Sequence, residues 1–377
     1  MLLTQCPVCA AALPARTAKQ CSRCKTRYCG PACQKKHWEE GGHDTLCKKI
    51  KRGGGAEQYH ADKKFTEAVT VAAEACAEDT KGQTCYICTQ ALHWKTKEGL
   101  VRGCACRGTA GFAHVSCLVE QAKILFAEGE ENNLGLEALD ERWKRWHKCG
   151  LCEQAYHGVV YCALGWACWK TYVGRPVMSQ AQSLAMRQLG NSLYYARQFE
   201  DALSVQEAEL AMLRRLGVPE DTLLDVQSSL ACTYGELGQL EESLSIERDV
   251  YSGWVRLNGE EHRSTLLAAH NYAVTLKGLK RFEEAKSVLR KMMPVARRVL
   301  GEGCETTLKM RRTCAEALYK DPAATLDDLR EAVTTLVDIE RTARRVLGGA
   351  HPLTETIDSE LEKTRAALRN RETPGGA

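Results

Sequence analysis

From residue 178 to residue 371 apolar and polar positions follow one another with helical spacing, in a background rich in Leu, Ala, Glu and Arg. Small residues fall at Gly190, Ala231, Ala273 and Ala315, spaced 41, 42 and 42 apart, and each is followed three positions later by Leu193, Tyr234, Leu276 or Leu318. A second small residue recurs at Ala202, Ser243, Ala285 and Ala332, with Phe199, Leu240, Phe282 or Leu329 three positions before it. Small residues let two antiparallel helices approach closely, and bulky ones fill the space between successive pairs. The pattern therefore predicts an α-solenoid of helix hairpins. The last repeat gains five residues, Asp321-Pro322 among them, which reads as a loop insertion. Residues 352–371 are expected to form a solvating cap helix and residues 372–377 a disordered tail. Upstream, residues 51–66 are Lys-, Gly- and polar-rich and read as a linker. Residues 65–79 read as a short helix, and the apolar run Val160 to Trp169 as a helix packed on the module before it.

The N-terminal half carries a different signal. Of twenty cysteines, seventeen lie in residues 1–168. The start, Met1-Leu-Leu-Thr, shows no signal-peptide core, so a disulfide scaffold is not expected, and paired C-x2-C spacings point to metal. Cys6, Cys9, Cys21, Cys24, Cys29, Cys33, His43 and Cys47 form one cluster of eight candidate ligands. A second eight follows: Cys85, Cys88, Cys104, Cys106, His114, Cys117, Cys149 and Cys152. Two residues between cysteines let both thiolates reach one tetrahedral zinc from a tight turn. Eight ligands make two closed sites, so about four structural Zn2+ ions are expected per chain. A segment of about fifty residues cannot bury enough apolar surface to fold unaided, and metal binding supplies what its core lacks. His37 is a rival to His43, although His43-x3-Cys47 has the better spacing. Cys76, Cys162, Cys168, Cys232, Cys304 and Cys314 lack ligand spacing and read as buried thiols.

The net charge of +4 is too small to argue for nucleic acid as a partner. Its distribution is uneven, since residues 1–52 hold eleven Lys or Arg against three acids. Compensation of thiolate charge at the zinc sites is the plainer reading of that excess; contact with nucleic acid or an acidic peptide is the other. No run of about eighteen apolar residues is present, so no membrane span is expected. Nor is there a Ser-His-Asp set, a P-loop or a dinucleotide fingerprint. A cytoplasmic or nuclear protein is expected.

The run Cys24-Lys-Thr-Arg-Tyr28-Cys29-Gly-Pro-Ala-Cys33-Gln34, then Trp38, His43 and Cys47, resembles a MYND zinc finger. The resemblance implies interleaved ligands: Cys6, Cys9, Cys29 and Cys33 on one zinc, and Cys21, Cys24, His43 and Cys47 on the other. It also implies a groove for a proline-containing peptide beside Gln34 and Trp38. The second cluster, with one residue between Cys104 and Cys106 and seven before His114, resembles the RING-CH type of zinc cross-brace. Cys85, Cys88, His114 and Cys117 would then hold one zinc, and Cys104, Cys106, Cys149 and Cys152 the other. Such domains are ubiquitin ligases of the adaptor kind. Ile87, between the first ligand pair, would present an apolar contact to a ubiquitin-conjugating enzyme. Three features depart from that family: Leu118-Val-Glu-Gln121 after Cys117 where Trp is frequent, Glu153 where a basic residue is common, and 31 residues between Cys117 and Cys149. The repeats, with joins at Arg298-Val-Leu300-Gly301 and Arg345-Val-Leu347-Gly348, resemble tetratricopeptide repeats of the kinesin-light-chain kind.

These readings combine into a mainly α chain of two small zinc-organised modules followed by a TPR-like α-solenoid. The expected domains are a MYND finger at 1–50, a linker and short helix at 51–79, a RING-CH module with helical extension at 80–176, and repeats at 177–371. The expected function is a ubiquitin ligase, with no covalent intermediate of its own, that receives a protein substrate or peptide on the repeats or the MYND finger. The alternative is a non-enzymatic scaffold whose zinc modules only bind peptides. A methyltransferase of the kind that contains MYND fingers would need strands and knotted loops where this chain carries helices.

Overall fold

The computed structural model describes residues 6–11, 13, 18–176 and 179–372 of the chain. It divides into two compact units, Met1–Leu216 and Gly217–Ala377. The first opens with a two-residue antiparallel hairpin, β1 (Lys19–Gln20) and β2 (Arg27–Tyr28), in which Lys19 faces Tyr28. Helix α1 (Pro31–Glu39) begins on a proline, whose missing N–H costs nothing in a first turn. Helices α2 (His43–Arg52) and α3 (Ala56–Ala75) follow, joined only by Gly53–Gly55.

The expected linker over 51–66 is thus mostly helix. Its polar residues form a partly exposed face, while Ala56, Ala61, Val69 and Ala72 are buried. Long-range contacts add to this. The Gln58 side-chain amide donates to the Lys170 carbonyl at 3.0 Å, and Lys170 Nζ lies 4.1 Å from the Phe65 ring centroid and 3.2 Å from Asp62. None of these three contacts is visible to local composition.

Helices α4 (Val115–Glu131) and α5 (Leu136–Trp143), then a 3-10 turn at Lys144–Trp146, fill the long gap between Cys117 and Cys149. Helix α6 (Gly158–Tyr172) buries every residue from Val160 to Trp169, as a helix apolar on all sides must. It packs against α3, α4 and α7 (Gln180–Tyr195), and α7 pairs with α8 (Phe199–Leu216). The first unit therefore runs on past residue 176 to Leu216, because α6 has a further apolar face that α7 covers. Approach there is close: a Cβ on Gly165 would sit 1.9 Å from Ser192 Oγ. Of the six cysteines outside the clusters, Cys76, Cys162 and Cys168 are buried, whereas Cys232, Cys304 and Cys314 are only half-buried.

In the second unit α9 (Glu220–Glu236), α10 (Leu240–Asn258), α11 (Arg263–Gly278), α12 (Phe282–Leu300), α13 (Glu305–Lys320), α14 (Leu326–Val346) and α15 (Pro352–Glu372) pack each on the next. Ala231, Ser243, Ala273, Ala285, Ala315 and Ala332 are all buried at these contacts, with Leu276 and Leu318 beside them. The Ser243 hydroxyl donates to the Ala231 carbonyl at 2.8 Å, so the two small positions of one hairpin touch. Tyr234 is only half-buried. The inserted residues lie between α13 and α14, where Thr325 and Asp328 cap α14 reciprocally. Leu353, Ile357 and Leu361 of α15 pack on Leu336 and Ile339 of α14. Glu372 ends α15, and residues 373–377 of the expected tail lie outside the described residues.

Candidate metal centres

Four sets of side chains converge: Cys6, Cys9, Cys29 and Cys33; Cys21, Cys24, His43 and Cys47; Cys85, Cys88, His114 and Cys117; and Cys104, Cys106, Cys149 and Cys152. Within each set all ligand atoms lie inside 4.8 Å of one another. Sulfur separations are 3.5 Å for Cys9–Cys29 and Cys29–Cys33, and 3.7 Å for Cys9–Cys33, Cys21–Cys47 and Cys106–Cys149. A tetrahedron with Zn–S bonds of about 2.3 Å has edges of about 3.8 Å, so a zinc ion fits each set with little adjustment. Disulfides are much shorter, and every cysteine is free. The donors, all thiol or imidazole, suit zinc. Each set can hold one ion, and four protein ligands leave no position for a reacting water.

Local backbone geometry builds these sites the same way four times. After each C-x2-C pair the next residue is left-handed: Ala10 (φ 57°), Lys25 (66°), Thr89 (62°) and Glu153 (56°). Its N–H donates to the carbonyl of the first cysteine, at 2.9, 3.0, 2.8 and 3.1 Å respectively. The first cysteine's own N–H in turn donates to a carbonyl five residues on, at Ala11, Thr26, Gln90 and Gln154. The turn is thereby closed, and inner N–H groups point at sulfur. Ile87 and Cys88 donate to Cys85 Sγ at 3.4 and 3.5 Å, and Leu151 to Cys149 Sγ at 3.4 Å. Burial opposes ionisation of Cys85, but backbone N–H groups, that of Cys88 foremost, outweigh it and lower its pKa toward the metal-binding thiolate. Gly111 (φ 85°) passes so near Cys106 that a Cβ there would lie 2.9 Å from its sulfur.

Burial holds both ligand histidines below the usual imidazole range, hence neutral and able to ligate at pH 7. His114 turns Nδ1 to Cys88 and Cys117, at 3.4 and 3.6 Å, while its Nε2 lies 3.4 Å from the Ala91 carbonyl, an outer contact that orients the ring. His43 turns Nε2 to Cys24 at 3.4 Å, and its Nδ1 is buried without a partner. His37 stands outside both sets. Its Nδ1 lies 3.0 Å from the Tyr28 hydroxyl and its ring packs on His43.

Of the candidate partner contacts, Gln34 and Trp38 lie one turn apart on α1. Trp38 is exposed and Gln34 half-buried, and the Trp38 ring leans on His43 at 5.8 Å. Ile87 is 37% exposed. Leu118 is buried in α4, and Tyr156 is buried beside the last ligand pair. Sequence reasoning missed Leu151. It holds the same place between Cys149 and Cys152 that Ile87 holds between Cys85 and Cys88, and it is 51% exposed. The signal was available as the shared pattern Cys-x-apolar-Cys.

Residues 6–47 match the MYND finger family model, residues 85–133 the RING-variant domain, and residues 223–264 and 265–303 the tetratricopeptide repeat. The RING-variant match stops before Cys149 and Cys152, yet the fold returns that pair to Cys104 and Cys106. No curated protein matches this chain. Among solved structures it is similar to kinesin-light-chain TPR-like repeats of Podosopora anserina, at 17% identity over 62% of this chain and 97% of that one, with a TM-score of 0.38. It is also similar to BtubC (BKLC) from P. vanneervenii, at 13% identity over 70% and 93%, with a TM-score of 0.37. The chain thus joins a MYND finger, a RING-variant zinc finger and TPR-like helical hairpins, modules that imply protein partners. Among the described residues no helix is long and apolar enough to cross a membrane.

Proposed function

We propose that this chain is an adaptor-type ubiquitin ligase whose RING-variant finger holds a ubiquitin-conjugating enzyme beside a bound protein substrate. The observation that carries the reading is the exposed apolar side chain of Ile87, held between two zinc ligands on a closed turn. A side chain so placed cannot retract into a core, so partner contact explains its exposure more economically than packing does. The chain supplies no nucleophile in this reading. The rate gain is positional, through the raised effective concentration of the acceptor lysine. The repeats serve as substrate receptor, the surface of α1 around Gln34 and Trp38 takes a proline-containing peptide, and the setting is the cytoplasm or nucleus.

A second reading, a scaffold without transfer activity, is favoured by Glu153 and by the missing Trp after Cys117. A carboxylate stands where the family commonly has a base, and Leu118-Val-Glu-Gln121 stands where it often has Trp. The deciding experiment is autoubiquitination by the zinc-loaded chain with a panel of conjugating enzymes. Chain-dependent transfer with any of them supports the ligase. Inertness with all of them gives the lead to the scaffold.

A further inference from the structure

The basic excess of the first finger is not used up by its metal sites. Seven thiolates and two Zn2+ ions carry a net charge of about −3, with both histidines neutral. The side chains of residues 1–52 carry eleven cations against three acids, so roughly five positive charges remain after the thiolates are compensated.

The fold gathers part of that surplus at one corner. Lys48, Lys49, Lys51 and Arg52 are exposed along the end of α2, within roughly 6 Å of helix axis. Arg23 and Lys25, exposed on either side of Cys24, reach the same corner from another segment, because the Cys24 carbonyl accepts the Ala56 N–H at 2.9 Å where α3 begins. Lys35 and Lys36 each approach a carboxylate four residues on, at 3.9 and 4.0 Å, but the six cations of this corner have no ion pair among the described residues. Cations in the last turn of α2 complement its dipole, which accounts for one or two of them. It does not account for Arg23 and Lys25. The 20-residue α3 begins at the same corner, where Glu57 in its first turn offsets the positive end of its dipole, so the exposed side chains carry the surplus.

We infer that this α2–α3 corner of the MYND-type finger is a docking surface for an acidic segment of a partner protein, rich in Asp and Glu. Charge complementarity argues for the occupant. A nucleic-acid strand is the weaker fit, because the aromatic ring at this corner, Tyr59, is half-buried with Lys49 Nζ 5.9 Å from its centroid and offers no platform for a base. Trp38, which is exposed, stands on α1. The surface includes no residue of the Ile87 turn, and the inference does not depend on ubiquitin transfer.

The test is fluorescence anisotropy of the zinc-loaded full chain with a labelled poly-glutamate peptide, and with a single-stranded DNA of the same length. Poly-glutamate binds, and its affinity falls as salt is raised. Lys51→Glu/Arg52→Glu weakens it about tenfold, while zinc content stays at the wild-type value. Arg23→Gln/Lys25→Gln, drawn from the other segment, weakens it in the same direction and decides the matter should the first variant lose zinc. Tighter binding of the DNA at equal salt, or unchanged affinity in the variants that retain zinc, overturns the proposal.

Discussion

Ile87 and Leu151 hold equivalent positions in two zinc turns 64 residues apart. Each backbone N–H lies 3.4 Å from the sulfur of the cysteine two residues before it, and each side chain is exposed. Two rigid turns thus offer one apolar side chain apiece. If the ligase reading holds, Ile87→Ala weakens conjugating-enzyme binding by about tenfold or more, since burying an Ile is worth roughly 1.5–3 kcal/mol. Leu151→Ala acts in the same direction. Neither touches a ligand, so zinc content and melting temperature stay put. Transfer at wild-type speed by both variants removes the contact assignment.

Zinc content measured by elemental analysis is expected near four per chain, one per ligand set. Cys149→Ser lowers it to about three. The last ligand pair is far from the others in sequence, so this variant tests whether that pair closes the fourth site. Chelation unfolds the zinc modules but leaves most of the helical signal of the second unit, which contains none of the four sets. Loss of nearly all helix on chelation contradicts that independence.

Glu247 is buried within the second unit, with one carboxylate oxygen 3.5 Å from Cys232 Sγ and the other unpartnered. Burial raises its pKa from 4.5 to about 8. The folded state therefore holds the proton more tightly than the unfolded state. The stability it contributes is complete below pH 4.5 and is lost as pH rises through about 8. Thermal melts of the helical signal between pH 6.5 and 9 should show wild type declining more steeply than Glu247→Gln. Parallel declines would falsify the assignment.

Gly165 and Ser192 meet where α6 crosses α7, and an added Cβ would lie 2.5 Å from Ser192 Cβ. Gly165→Ala is expected to cost about 1–3 kcal/mol by overpacking. Ser192→Gly in the same chain removes the atoms it strikes and should recover part of the loss. Absence of any recovery in the double variant means the strain is relieved elsewhere.

Sequence alone determined what depends on short-range geometry. The ligand pairs are legible because two thiolates can share a zinc only from a tight turn. The helix hairpins are legible because close approach demands small residues at a fixed period, as at Ala231, Ala273 and Ala315. The tertiary structure decided what depends on contacts between distant residues. Composition made residues 51–66 a linker, but the surface of α6 buries Ala61 and engages Gln58, so the segment is helix. Spacing left His37 in play beside His43, and the Tyr28 hydroxyl takes it. Cys149 and Cys152 return to Cys104 and Cys106 because α4, α5 and the buried Trp146 fold the intervening chain into a compact detour. A linear pattern records which residues can ligate or pack. Which of them do is settled by burial, shared among residues far apart in the chain.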